Sequence, residues 1–242
     1  MKIGLVSAYS HNKIEENINT IIKFLSDYQH LDFLLFSEAF LQGFNSLTWN
    51  YFEDITITIN RNDSILNQIK KACKKYNTAV GFGYYETDNY DLYCSYMIIN
   101  NNGELVNNYR RLSTGWKVTS KTNHYYKEGT EIIPFTLNNY NFITLICGDL
   151  WDDNIKEKAM EIINKEKIDT ILWPNHLDYT IAQFNLEIQD YQERSKDIKV
   201  PLLLINDHSE TSCGGAVVFK NNNILHYLKI GTIGVLEFDL TS

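Results

Sequence analysis

Apolar and polar positions along this chain alternate between two periods, and their order predicts strands and helices in turn, the pattern of a layered α/β fold. Ile3, Leu5 and Val6 belong to a short opening strand, after which Ile14, Ile18, Ile21, Ile22 and Leu25 recur at helical spacing and give one apolar face. The run 32–44 starts as a buried strand and is broken by Glu38. Ile65, Leu66, Ile69, Ala72, Cys73 and Tyr76 mark a second helix, followed by a strand over 78–84. Residues 92–99 and 104–109, joined by Asn100-Asn101-Asn102-Gly103, predict a hairpin. Beyond a polar, aromatic loop that runs through Gly129, residues 143–146 predict a central strand buried on both faces, which stops at Cys147-Gly148-Asp149. A helix carrying Ile155, Ala159, Ile162 and Ile163 follows, then a strand over 170–173, the turn Pro174-Asn175-His176, a helix over 183–199 and a strand over 201–206. The tail, through 214–219 and 233–238, predicts hairpins that close a sheet. No repeat, low-complexity tract or linker divides the chain, so 1–242 is expected to be a single domain.

Composition narrows the class. With 44% hydrophobic and 21% charged residues the chain has the balance of a soluble globular protein. A formal charge of −8 and the lack of a long basic cluster argue against nucleic acid as a partner. No apolar stretch approaches the ~20 residues of a membrane span, and the opening run is too brief for a secretory signal, so no membrane partner and a cytoplasmic location are expected. The four cysteines are widely spaced with no CxxC pair, which fits free thiols rather than a zinc site or a disulfide framework. Cys73 falls on an inward helix face, and Cys94 lies inside the hairpin with no partner in view.

Two residues stand out chemically. A thiol at the carboxyl end of a buried strand occupies the place where α/β folds hold reactive groups, although a free cysteine there also fits as a small buried hydrophobe. Glu38 interrupts an apolar run, which is costly unless the carboxylate is paired or used, or points to solvent from a strand end. Tyr109-Arg110-Arg111 and, farther on, Lys117 supply cations after the hairpin, either as a solvated strand end or as part of a binding loop. There is no GxSxG elbow, no phosphate-binding loop and no GxGxxG. His176 and Asp178 lack a third ligand at recognisable spacing, so neither metal nor cofactor is expected.

Taken in order, these stretches resemble the nitrilase superfamily of carbon-nitrogen hydrolases. Leu34 to Phe44 is similar to the family's first motif, with Glu38 as general base. Ile146-Cys147-Gly148-Asp149-Leu150-Trp151 is similar to the third, with Cys147 as nucleophile. The second motif, Tyr-Arg-Lys-x-His in the family, reads Tyr109-Arg110-Arg111-Leu112-Ser113 here and places Arg111 where the resemblance implies the catalytic lysine. Either Arg111 holds the cationic place, or Lys117 reaches in from a rearranged loop. Lys117 is preferred as the working acid because an ammonium can be tuned to give up a proton and a guanidinium cannot. The resemblance implies a four-layer αββα sandwich, a homodimer formed through helices near 153–164 and 183–199, and substrate contacts at Tyr109, Trp151, Asn175 and His176. It implies hydrolysis of a small amide or carbamoyl compound, with ammonia released through a thioester. The changed second motif keeps an alternative open, a weakened or inactive relative that binds a small ligand or partner.

Overall fold

The structure, a computed structural model, describes residues 1–241. Two six-stranded sheets are built on the same plan. The first has the order β12-β1-β2-β3-β4-β5, with β1 (Lys2–Ser7), β2 (Phe33–Leu35) and β3 (Ala79–Asp88) parallel at its centre. β4 (Asp91–Ile99), β5 (Leu105–Arg110) and β12 (Gly234–Asp239) flank them antiparallel. The second has the order β11-β10-β9-β8-β7-β6, with β7 (Tyr140–Thr144), β8 (Thr170–Asn175) and β9 (Leu202–Asn206) parallel. β6 (Phe135–Leu137), β10 (Ala216–Lys220) and β11 (Asn223–Leu228) are antiparallel to their neighbours.

Side-chain alternation decides which way each sheet faces. Ile3, Leu5, Phe33 and Leu35 point to one side of the first sheet and share a core with the second, where the Phe33 ring meets Phe142 edge-on at 6.0 Å. Val6, Leu34 and Phe36 point the other way, onto α1 (Ile14–Asp27) and α3 (Asn67–Tyr76), which bury Ile18, Ile21, Leu25, Ile69 and Cys73 there. On the outside of the second sheet, α4 (Asp153–Glu166) and α5 (Ile181–Arg194) bury Ile155, Ala159, Phe184 and Tyr191, the last against Trp173 at 5.3 Å. The layers are therefore αββα, as expected. No helix among the described residues is long and apolar enough to cross a membrane.

The differences from the sequence reading have local causes. α5 starts at Ile181 because Thr180 and Gln183 form a reciprocal cap, and it stops at Arg194 because Ser195 turns the chain to bury Ile198. The strand expected over 32–44 is a ladder only over Phe33–Leu35; from Phe36 on, the backbone bonds singly to Gly81, Ser37 to Gly83 and Leu41 to Gly83. A short helix, α2 (Tyr51–Ile57), capped by the Asn50 side chain, carries no periodic signature in the sequence. The tail divides between the sheets. β10 and β11 form a hairpin over Asn221 and Asn222, both left-handed, whereas β12 crosses to pair with β1 in the other sheet.

The Phe33–Phe142 contact joins the two sheets at the centre of the core. Phe142→Ala is expected to lower stability by about 3–5 kcal/mol, measured by urea unfolding; a loss below about 1 kcal/mol would show that the sheets are held together elsewhere.

Candidate active site

Four strand ends deliver the site. Glu38 follows β2, Arg111 follows β5, Cys147 follows β7 and His176 follows β8. Two of these exits are kinked into the left-handed region, with φ of 49° at Ala39 beside Glu38 and 43° at Cys147 itself. Such backbone is costly for residues other than glycine and persists only where the surroundings impose it. At Cys147 the imposing contacts are the Trp173 indole, which donates to the Cys147 carbonyl at 2.9 Å, and the short 3-10 turn Cys147–Trp151 that begins there. The kink turns the thiol out of the sheet while residues 142–146 before it stay buried.

Glu38 is fully buried and its carboxylate is partnered on both oxygens. Oε1 accepts from Arg111 Nη1 at 2.5 Å and from the Cys94 thiol at 3.5 Å; Oε2 accepts from the His176 backbone N–H at 3.2 Å. Arg111, only 3% exposed, also donates through Nε to Ser113 Oγ at 2.8 Å. Burial alone would lower its pKa, but the charge of Glu38 and the neighbouring cysteines raise it, so the guanidinium is a permanent cation. The Cys147 sulfur faces Glu38, Arg111 and the His176 amide. Burial first, then the Glu38 charge, push its thiol up to about 12 against the opposing pull of Arg111, so it rests protonated at neutral pH.

Asp149 clasps the cation-bearing loop to the nucleophile turn. Its Oδ1 accepts from the backbone N–H groups of Leu112 and Ser113 at 3.0 and 2.7 Å, and its Oδ2 from Tyr109 Oη at 2.7 Å and Ile146 N–H at 2.9 Å. Burial raises its pKa above the ordinary carboxylate value, while Arg111 and these donors oppose that rise. His176 is fixed as well. Nδ1 pairs with Asp207 at 2.9 Å, Phe44 stacks on the ring at 4.3 Å, and Asp207 is itself held by Ser10 Oγ at 2.5 Å. Burial acts to lower the imidazole, but the Asp207 charge and hydrogen bond outweigh it and raise it.

Set against the sequence reading, Glu38, Arg111 and Cys147 come together. Lys117 does not join them, because its ammonium donates to the Tyr126 carbonyl and pairs with Glu128 at 2.6 Å. The preference for Lys117 over Arg111 is thereby reversed on geometry. A cleft of about 430 Å³ opens over Cys147 and is lined by Trp151, His176, Leu177, Asp178, Tyr179 and the α5 residues Glu187, Asp190 and Tyr191. Trp151 and His176 thus lie where substrate contacts were expected. Tyr109 and Asn175 are buried behind the site, Tyr109 on Asp149 and Asn175 with its backbone carbonyl taking the Glu38 N–H at 3.4 Å. The sequence reading missed Cys94, which faces Glu38 from β4, and the clasp made by Asp149; neither has a signal short of the strand register.

Comparison with known proteins places this geometry. The profile of the carbon-nitrogen hydrolase family matches residues 2–191. No curated protein sequence matches the chain significantly. Among solved structures, the NitN amidase from Nesterenkonia sp. AN1 superposes with a TM-score of 0.79 at 14% identity, over 99% of this chain and 92% of its own. Saccharomyces cerevisiae Nit3, of branch 10 of the nitrilase superfamily, gives 0.79 at 16% identity, over 99% and 89%. The glutamine-dependent NAD+ synthetase of Acinetobacter baumannii gives 0.76 at 19% identity over 98% of this chain, which spans only 45% of the synthetase. These likenesses agree on the fold, and the extent of the profile match shows that the chain belongs to the carbon-nitrogen hydrolase family.

Proposed function

We propose that the protein hydrolyses the C–N bond of a small carboxamide or carbamoyl compound through a thioester on Cys147, releasing ammonia. The observation that carries this reading is a buried carboxylate that faces the Cys147 thiol while a fixed cation grips one of its oxygens. A resting thiol pushed up to about 12 needs a base at the moment of attack, and Glu38 is the group beside it. As sulfur bonds to the carbonyl carbon, the thiol proton passes to Glu38. Glu38 then returns that proton to the amide nitrogen, the C–N bond breaks and ammonia leaves. Water gives a proton to Glu38 and adds to the thioester; the C–S bond breaks, and the thiol regains its proton. Arg111 stays charged throughout, so it offsets negative charge on the substrate oxygen and leaves all proton transfer to Glu38.

A non-catalytic binding role is the reading that arginine at this position favours. It is the weaker one, because Glu38 can carry the proton in both directions, and a ligand pocket gains nothing from a buried carboxylate set against a thiol. The Nesterenkonia sp. AN1 amidase, in a mutant form, takes acrylamide by Michael addition at its active-site cysteine, which supports acrylamide as a probe of Cys147. The cleft also supports a charge class for the substrate. Asp178, Glu187 and Asp190 line it with the rings of Trp151, Tyr179 and Tyr191, and among the described residues no lysine or arginine lines it, so an amide with a cationic far end fits best.

Ammonia release from a panel of small amides is expected from the native chain and not from its Cys147→Ala variant; a native chain that releases no ammonia would sink the hydrolase reading. Glu38→Gln is expected to slow ammonia release at pH 7 by about 100-fold or more. Because burial still holds the thiol high, the rate left in that variant should climb steadily with pH above neutrality, whereas the native rate should not; parallel pH profiles would remove Glu38 as the base. Among chain-matched amides, kcat/KM is expected to fall in the order γ-aminobutyramide, valeramide, glutaramate, with a spread of about tenfold or more that shrinks in high salt. Equal values, or a preference for glutaramate, would overturn the charge class while leaving the reaction in place.

A further inference from the structure

Of the guanidinium nitrogens of Arg111, Nη1 is spent on Glu38 and Nε on Ser113, while Nη2 lies against two glycines. A Cβ added at Gly148 would meet Nη2 at 2.4 Å, Ser113 Oγ at 3.0 Å and the guanidinium carbon at 3.4 Å; one added at Gly115 would meet Nη2 at 2.9 Å. Neither glycine has a positive φ, so the backbone at both positions would accept any residue. What excludes a side chain is the guanidinium. An arginine tip usually swings aside at little cost, but this one is held at two nitrogens in a nearly dry site, and moving Nη2 means breaking the bond to Glu38 or to Ser113.

We propose that Gly148 and Gly115 are positioning residues that hold open a slot for a guanidinium, and so commit this site to an arginine between Glu38 and Cys147. Gly148 follows the nucleophile directly, so the backbone turn that exposes Cys147 is also the wall of the cation's slot. A side chain there would misplace the cation without changing its charge. The effect on turnover rests on the hydrolase reading; the effect on the Cys147 thiol does not, since Arg111 acts on the sulfur in the resting protein.

The test is a double-mutant cycle on the full chain with Gly148→Ala, Arg111→Lys and the two combined. Two readouts are followed: kcat and KM on the best amide, and the pH profile of Cys147 alkylation by iodoacetamide. Gly148→Ala is expected to lower kcat by about 10- to 100-fold with KM little changed, and to slow Cys147 alkylation by a comparable factor across the pH profile. In the Arg111→Lys background, which has no Nη2, adding Gly148→Ala is expected to change either readout by less than about twofold. An equal penalty in both backgrounds, or none in either, would overturn the slot. Thermal melts accompany each variant. Should Gly148→Ala fail to fold, Gly115→Ala, with its longer approach, is expected to give a smaller loss in the same direction that Arg111→Lys again removes, and additivity there would equally overturn the proposal. If no amide is turned over, the hydrolase reading falls while the alkylation profiles still decide the slot.

Discussion

The buried pair between Glu38 and Arg111 is the interaction on which the rest of the site depends. Two charges taken out of water are a liability, because desolvation offsets most of their attraction and removing either partner strands the other. Here both are almost wholly inaccessible, at 0% and 3% exposure. The arrangement survives because each has further partners: the His176 amide and Cys94 thiol for the carboxylate, and Ser113 for the guanidinium. The pair thus works as one unit, with a carboxylate gripped in a dry site by a cation that stays charged beside the sulfur.

Holding this unit in place requires strand ends from both sheets. Arg111 and Glu38 leave the first sheet, Cys147 and His176 the second. Face-to-face packing brings the ends together, and the kinks at Ala39 and Cys147 aim the side chains inward instead of continuing the pleat. Asp149 supplies the cross-link. Two backbone bonds to Leu112 and Ser113 fix the loop that carries Arg111, so the cation's position is set from the nucleophile's own turn. The backbone of His176 ties Glu38 to the second sheet in the same way, and Asp207 and Phe44 keep that histidine still.

A permanent cation changes the division of labour. An ammonium in the same place could share proton transfer, whereas a guanidinium contributes charge and direction alone. In the proposed hydrolysis the carboxylate then carries every proton between sulfur, leaving group and water, which fits a thiol that rests protonated. Lys117, the more versatile cation on chemical grounds, is committed to Glu128 and the Tyr126 carbonyl.

The amino-acid sequence by itself determined the alternation of strands and helices, because helical and strand periods are local properties of burial, visible in Ile18, Ile21 and Leu25 or in residues 143–146 without knowledge of partners. It also carried Glu38 and Cys147, since a carboxylate or thiol that breaks an apolar run stands out against its neighbours. Tertiary structure alone decided between Arg111 and Lys117. They lie six positions apart on one loop, and the contacts of Arg111 with Glu38 and Ser113, against those of Lys117 with Glu128 and the Tyr126 carbonyl, settle which one lies beside the sulfur. It likewise decided that Cys94 touches Glu38, that Tyr109 braces Asp149 rather than a substrate, and that β12 pairs across to β1. These are contacts between residues 40 to 237 positions apart in sequence. Local period and composition carry no trace of such pairings, because their energy exists only once two distant surfaces exclude water together.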